Sequence, residues 1–260
     1  MPDIHDYTER NRRAWNEIAE VRATKWPDAA FFAGGGSILD ARVLAAAGDV
    51  SGRTILHLQC ATGEETLSWA VAGARATGAD ISDAQIALAG RKAADAGLAA
   101  RFVAADIYAL PPDLQDAAFD YVYTGGGALV WLPDLERWAG VIAAALRPGG
   151  RFLLYEEHPV AGCLWVTDGR LEITEDYFAR GTPHYDRGWA HFAGGEDATE
   201  VKAEFSWPLG NVVTALAGTG LRIERLEEFP SDAGWRFGEL LDEVRRLPGN
   251  YLLVARKEPQ

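Results

Sequence analysis

From Arg53 to Glu157, short apolar runs alternate with helical patterns, and this alternation limits the fold more than any other feature of the chain. "RTILHLQC" (53–60) is a short apolar strand, and "EETLSWAVAG" (64–73) is a helix that stops at Gly73. "ARATGAD" (74–80) is a weaker strand. "SDAQIALAGRKAADAG" (82–97) opens on a capping box, Ser82 with Gln85, and sets Ile86, Ala89 and Ala93 on one face. "ARFVAAD", "AFDYVYTGG" and "RFLLYEE" are further strands, the last two separated by the helix "LPDLERWAGVIAAAL". Strands that alternate with helices of this length build a parallel sheet covered on both faces, joined by right-handed crossovers.

The pattern breaks at His158 and resumes near residue 206 with a helix, "PLGNVVTALAGTG", and two strands, "LRIERLEEF" and "NYLLVARK". The loop between these strands is too short for a long crossover helix, so the last strand should run antiparallel. The expected fold is α/β and doubly wound: a mostly parallel seven-stranded sheet with helices on both faces and the last strand antiparallel. Residues 51–158 and 206–260 form this domain, 1–50 an N-terminal helical cap, and 159–205 an inserted lid. In the cap a helix is expected from Thr8 to Arg22, and Ser37 with Asp40 should form a second capping box.

The chain has 260 residues, 48% of them hydrophobic, which is enough for a sizeable core. Its 38 acidic residues exceed its 25 Lys and Arg, and a net charge of −13 argues against nucleic acid or an anionic membrane as partner. Two cysteines, Cys60 and Cys163, make no disulfide framework, and neither a signal peptide nor an apolar run of about 20 residues is visible, so a cytoplasmic protein is expected.

The first strand ends in "QCATGEE" (59–65), a turn of the kind that holds phosphate when it reads G-x-G-x-x-G. Here Gln59, Ala61 and Gly63 occupy the turn, and Glu64 and Glu65 occupy the positive end of the following helix. The two glutamates are either ordinary surface residues of a helix start or part of a binding site. In both cases the turn disfavours pyrophosphate and suits a cationic adenosine ligand without phosphate.

S-adenosylmethionine is such a ligand, and the chain resembles the class I S-adenosylmethionine-dependent methyltransferases from about Arg53 to Glu157. Their first motif carries an acidic residue followed by alternate glycines; this chain has His57 at the acidic place and keeps only Gly63 of the three glycines. A bacterial small-molecule subgroup is similar in "LHLQC" and "WLPDLERW". The resemblance implies a Rossmann-like methyltransferase fold, S-adenosylmethionine as cofactor and S-adenosylhomocysteine as product. It implies that Asp80 in "TGADIS" accepts the ribose hydroxyls, with Ile81 and Gln85 packing nearby. It places Asp106 at the adenine amino group and Ile107 on the ring. Thr124, Gly125 and Gly126 end the fourth strand, where backbone can approach the cofactor or simply turn.

Methyl transfer needs an aligned acceptor and sometimes a base. "YEEHP" ends the fifth strand and offers His158 as base or structural residue, with Glu157 beside it. Glu156 and Glu157 point to opposite faces of a strand, so at most one should meet the pocket. His184 and His191 read as surface residues and His57 as a hydrogen-bonded core histidine. No metal-ligand spacing occurs among the histidines and cysteines. Tyr7, Trp15, Trp165, Tyr177 and Tyr185 are candidates for an aromatic acceptor pocket, a satellite core or a dimer contact. The leading expectation is a methyltransferase acting on O or N of a small molecule, as monomer or homodimer. The alternatives are a lyase or cyclase using the same cofactor, a non-catalytic binder of the same fold, and a nicotinamide-dependent oxidoreductase.

Overall fold

A computed structural model of the protein describes residues 3–189 and 192–259; His191 lies outside the described residues. The first four helices are α1 (Ile4–Glu17), α2 (Ala19–Ala23), α3 (Ala29–Ala33) and α4 (Ala41–Ala47). The alternating part follows as β1 (Thr54–Leu58), α5 (Glu64–Val71), β2 (Arg75–Asp80), α6 (Asp83–Ala96), β3 (Ala100–Ala104), β4 (Phe119–Gly125), α7 (Leu135–Ala145) and β5 (Leu146–Glu157). Next come α8 (Pro159–Gly162) and two hairpins, β6 (Leu164–Thr167) with β7 (Arg170–Ile173) and β8 (Pro183–Asp186) with β9 (Lys202–Phe205). The chain closes with α9 (Leu209–Gly218), β10 (Leu221–Pro230), α10 (Gly234–Phe237), α11 (Leu241–Val244) and β11 (Pro248–Lys257).

Seven strands form one sheet in the order β10-β11-β5-β4-β1-β2-β3. Only β11 runs against its neighbours, β5 and β10, as expected of the last strand. Strand order reverses between β1 and β4, and ligands of open α/β sheets sit at that switch, beyond the carboxyl ends of the strands. Alternate residues feed two cores. Leu56, Val122 and Leu154 pack with Trp138 of α7 and Leu216 of α9. Ile55, Tyr123 and Leu153 pack with Val43 of α4 and Trp69 of α5. Both faces of the strands are therefore buried, which is why they read as continuous apolar runs.

Two local expectations are revised. The first helix starts earlier, at Ile4, and breaks at Ile18, so that Arg22 belongs to α2. Ser37 does not cap α4. Asp40 does, its carboxylate accepting from the Arg42 N–H at 2.8 Å, and a charged cap also answers the helix dipole. Ser82 caps α6 as read, accepting from the Gln85 N–H at 3.1 Å. Its own N–H, however, donates to Asp80 Oδ1 and not to the Gln85 side chain.

The N-terminal helix is sutured to the second hairpin. Asn11 is buried in α1, donates to the Ala203 carbonyl at 2.9 Å and accepts from the Ala203 N–H at 2.7 Å. The first hairpin packs through Leu164 on Phe237 and Val244 of the β10–β11 connection. Among the described residues no helix is long and apolar enough to cross a membrane.

Candidate active site

A cavity of about 960 Å³ lies beyond the carboxyl ends of the central strands, bounded by α1, α2 and both hairpins. Gln59, Ala61, Asp80, Ile81, Gln85 and Asp106 line it, and so do Ile107 and Gly125. Gly63 and Thr124 stand behind the wall. A β-carbon on Gly63 would meet Phe102 at 2.7 Å and Ala89 at 2.8 Å, and its φ is 85°, so packing and backbone shape hold this glycine in place. Of the aromatic candidates, Trp15, Trp165 and Tyr177 line the cavity. Tyr7 and Tyr185 do not: they face a small separate surface pocket, and Tyr7 meets Phe205 edge-on at 5.3 Å.

The turn after β1 keeps a glycine-like course without the glycines. Gln59 has φ 59° and Ala61 φ 49°, both in the left-handed region that costs a non-glycine residue about 1–2 kcal/mol. Long-range hydrogen bonds hold the shape. Gln59 Nε2 donates to the Ala128 carbonyl at 2.9 Å, and the Ala61 N–H donates to Asp80 Oδ2 at 2.8 Å. Gln59 Oε1 is left buried without a partner.

Neither carboxylate after the turn is an ordinary surface residue. Glu64 is 2% exposed and pairs with Arg22 at 3.3 Å, with Lys92, and with the Thr62 hydroxyl. Burial opposes its charge, but Arg22 and Lys92 outweigh burial and hold its carboxyl below the ordinary value. Glu65 differs. Its Oε1 accepts from the Tyr123 hydroxyl at 2.7 Å, and its Oε2 lies 3.6 Å from His57 Nε2. Burial pushes its carboxyl up to about 7, and burial also lowers His57 to about 3, leaving the imidazole neutral.

A carboxyl raised on folding adds stability that is complete below its unfolded value, near 4.5, and is lost as pH rises through about 7. With its side chain 23% exposed, the effect of Glu65 is discounted to about 1–2 kcal/mol. Urea unfolding of the unliganded protein should therefore show stability declining across that window, with the decline reduced in Glu65→Gln.

Asp80 ends β2 at 7% exposure. Its Oδ1 accepts from the Ser82 N–H and its Oδ2 from the Ala61 N–H, so it joins the first turn to the start of α6. Burial raises its carboxyl, and these N–H donors work the other way. Each oxygen keeps further acceptor capacity on the cavity side. Gln85, beside it, is 1% exposed and has an unpartnered Oε1. Asp106 accepts from the Tyr108 N–H at 2.9 Å at the end of β3.

Glu156 has a positioning part in the site that no motif in the sequence announces. Both Glu156 and Glu157 line the cavity, against the one-face expectation, because β5 ends here and the chain turns into α8. Glu156 accepts four backbone N–H bonds, from Gly127 (2.6 Å), Ala128 (2.7 Å), Leu129 (3.1 Å) and Glu157 (2.8 Å). It fixes the loop after β4, where Gly126 and Gly127 have φ 58° and 83°. The signal is the glycine-rich turn after β4, whose backbone N–H groups need an acceptor.

The two catalytic candidates are engaged elsewhere. Arg236 binds the Glu157 carboxylate through two nitrogens. His158 is buried; its Nδ1 accepts from the Val160 N–H at 3.1 Å, and its Nε2 lies 2.9 Å from Glu228 Oε1. A ring that accepts at Nδ1 carries its proton at Nε2, so neither nitrogen offers a lone pair to an acceptor molecule. Burial lowers the pKa of His158 against the pull of Glu228. In this structure the strand-end histidine caps α8 and both its ring nitrogens are engaged by the protein. His184 is exposed on the cavity rim.

The outer part of the cavity is aromatic. Trp15 packs against Trp131 and Trp189 with ring centres 5.1 and 4.3 Å apart. Arg236 lies over Trp165 and Trp235 at 4.7 and 4.9 Å.

Residues 55–150 match the family described as a methyltransferase domain. The demethylmenaquinone methyltransferase of Thermus thermophilus is 38% identical over 109 residues, which are 41% of this chain and 48% of that protein. The chain thus matches less than half the length of its curated relatives. A solved S-adenosylmethionine-dependent methyltransferase from Mesorhizobium loti aligns over 83% of this chain and 95% of its own, at 27% identity and TM-score 0.61. The [4+2]-cyclase SpnF shares the fold, with TM-score 0.61 at 18% identity over 95% of both chains.

Proposed function

We propose that this chain, whose residues 55–150 match a methyltransferase domain and whose fold is that of S-adenosylmethionine-dependent methyltransferases, moves the cofactor's methyl group to an oxygen or nitrogen atom of a small molecule. The observation that carries the reading is the turn after β1: it follows the course of a nucleotide-binding loop but presents buried carboxylates where a pyrophosphate would need N–H groups and positive charge. A cationic adenosine sulfonium fits such a wall. Asp80 would hold the ribose hydroxyls, Asp106 and Ile107 the adenine, and Gln85 the edge between them. When bound, the cofactor supplies a methyl group already activated by positive sulfur.

The chain's own work is then to orient the acceptor and exclude water. Trp15, Trp165 and Tyr177 line the acceptor side, and segment 159–205 with the N-terminal helices forms its lid. Because Glu157 and His158 are both engaged, the acceptor atom attacks as a neutral nucleophile, and any proton it carries leaves to bulk solvent once the product is released. The protein works on a cytoplasmic small molecule, as monomer or homodimer, without nucleic acid or membrane.

Calorimetry with S-adenosylmethionine, S-adenosylhomocysteine and NADH tests the cofactor: binding of NADH alone ends this reading. Incubation with S-adenosylmethionine and a metabolite extract should yield a product heavier by one methyl. Binding without any such product makes the chain a binder or a different S-adenosylmethionine enzyme.

A further inference from the structure

We infer that Glu65 receives the cofactor's α-ammonium group, so that the charge which the related enzymes carry on the first strand has moved to the first turn of α5. This rests on the cavity being an S-adenosylmethionine site. The place on β1 holds His57, which is neutral and bonded through Nδ1 to Thr66 Oγ1 at 2.9 Å. It brings no negative charge.

Of the two carboxylates on α5, Glu64 is neutralised by Arg22 and Lys92. Glu65 has one neutral donor, the Tyr123 hydroxyl, and among the described residues no Lys or Arg pairs with it. Gln59 and His57 also line the cavity, and each has a buried side-chain atom, Oε1 and Nε2, without a hydrogen bond. A carboxylate with so little access to water, beside further unmatched polar atoms, favours a donor-rich cation or a proton. A primary ammonium brings one charge and three N–H groups. Gly125 leaves room for the Tyr123 hydroxyl beside Glu65: a β-carbon there would meet that hydroxyl first and stand 3.0 Å from Glu65 Oε2.

The groups facing Glu65 are Tyr123 and His57 in contact, Glu64 and Arg22 beside it, and Glu156 on the β5 side. Tyr123 is held protonated by burial and His57 neutral, and burial raises the carboxyls of both Glu65 and Glu156, so the Glu65→Gln variant is what separates their contributions. Below pH 7 an incoming ammonium must displace the Glu65 proton, so affinity should fall as pH drops.

The test is calorimetry of wild type and Glu65→Gln with two probes: S-adenosylhomocysteine and 5′-methylthioadenosine, an adenosine thioether without the amino-acid end. Glu65→Gln should lose tenfold or more in affinity for the first and stay within twofold for the second. Wild type should bind S-adenosylhomocysteine more tightly at pH 8 than at pH 6, and Glu65→Gln should lose most of that slope. If the variant keeps wild-type affinity for both probes, or weakens equally for both, the role of Glu65 is overturned while the cofactor site stands. If wild type binds neither probe, the proposed function itself fails, and this inference with it.

Discussion

Asp80→Ala should weaken S-adenosylmethionine binding by about 1–3 kcal/mol, roughly 5- to 150-fold in Kd. Two losses add. The carboxylate that would accept the ribose hydroxyls disappears, and the Ser82 and Ala61 N–H groups lose their acceptor. The second loss loosens the turn that holds Gln59 and Ala61 in left-handed conformations. Asp80→Asn separates the two, because its amide keeps one acceptor oxygen for the backbone but no charge for the ribose. Calorimetry of both variants, with thermal melting as a folding control, checks the assignment. Wild-type affinity in Asp80→Ala removes Asp80 from the cofactor site.

Glu156→Ala should have the larger effect on stability, on the order of 4 kcal/mol. One buried carboxylate satisfies three backbone N–H groups in the loop that closes the β4 end of the cavity, and that of Glu157 beside it. Alanine leaves those donors without a partner in a place that burial denies to bulk water. Glu156→Gln keeps the volume but turns an N–H₂ toward N–H donors, so it should recover only part of the loss. Urea unfolding gives the measure, and cofactor binding should fall in parallel because Gly125 and Ala128 line the cavity. A Glu156→Ala protein of wild-type stability would show that water replaces the carboxylate without cost.

The sheet was legible because its signal is local. Ile55, Leu56 and Leu58 are apolar in succession since both faces of β1 are buried, and each helix carries its own period and cap. The polar residues at strand ends were legible for a related reason: topology puts the carboxyl ends of parallel strands on one edge, so Asp80, Asp106 and Gly125 had to converge. The catalytic candidates were not legible. Arg236 and Glu228, which occupy Glu157 and His158, come from the last part of the chain, and no spacing near "YEEHP" announces them. Tyr7 and Tyr185 illustrate the same limit, since an aromatic residue in a loop carries no sign of which way it faces.

By itself, then, the sequence determined the order of strands and helices, the direction of the last strand and the edge of the sheet that holds the polar residues. Short-range periodicity and chain connectivity are enough for that. Tertiary structure alone decided which of those polar groups are spent on the protein and which remain for a ligand. Glu64 and Glu65 are neighbours in sequence with the same chemistry and both line the cavity, yet one is closed by Arg22 and Lys92 and the other meets no Lys or Arg among the described residues. The difference lies in partners brought from distant segments, and in the burial that makes an unmatched charge costly.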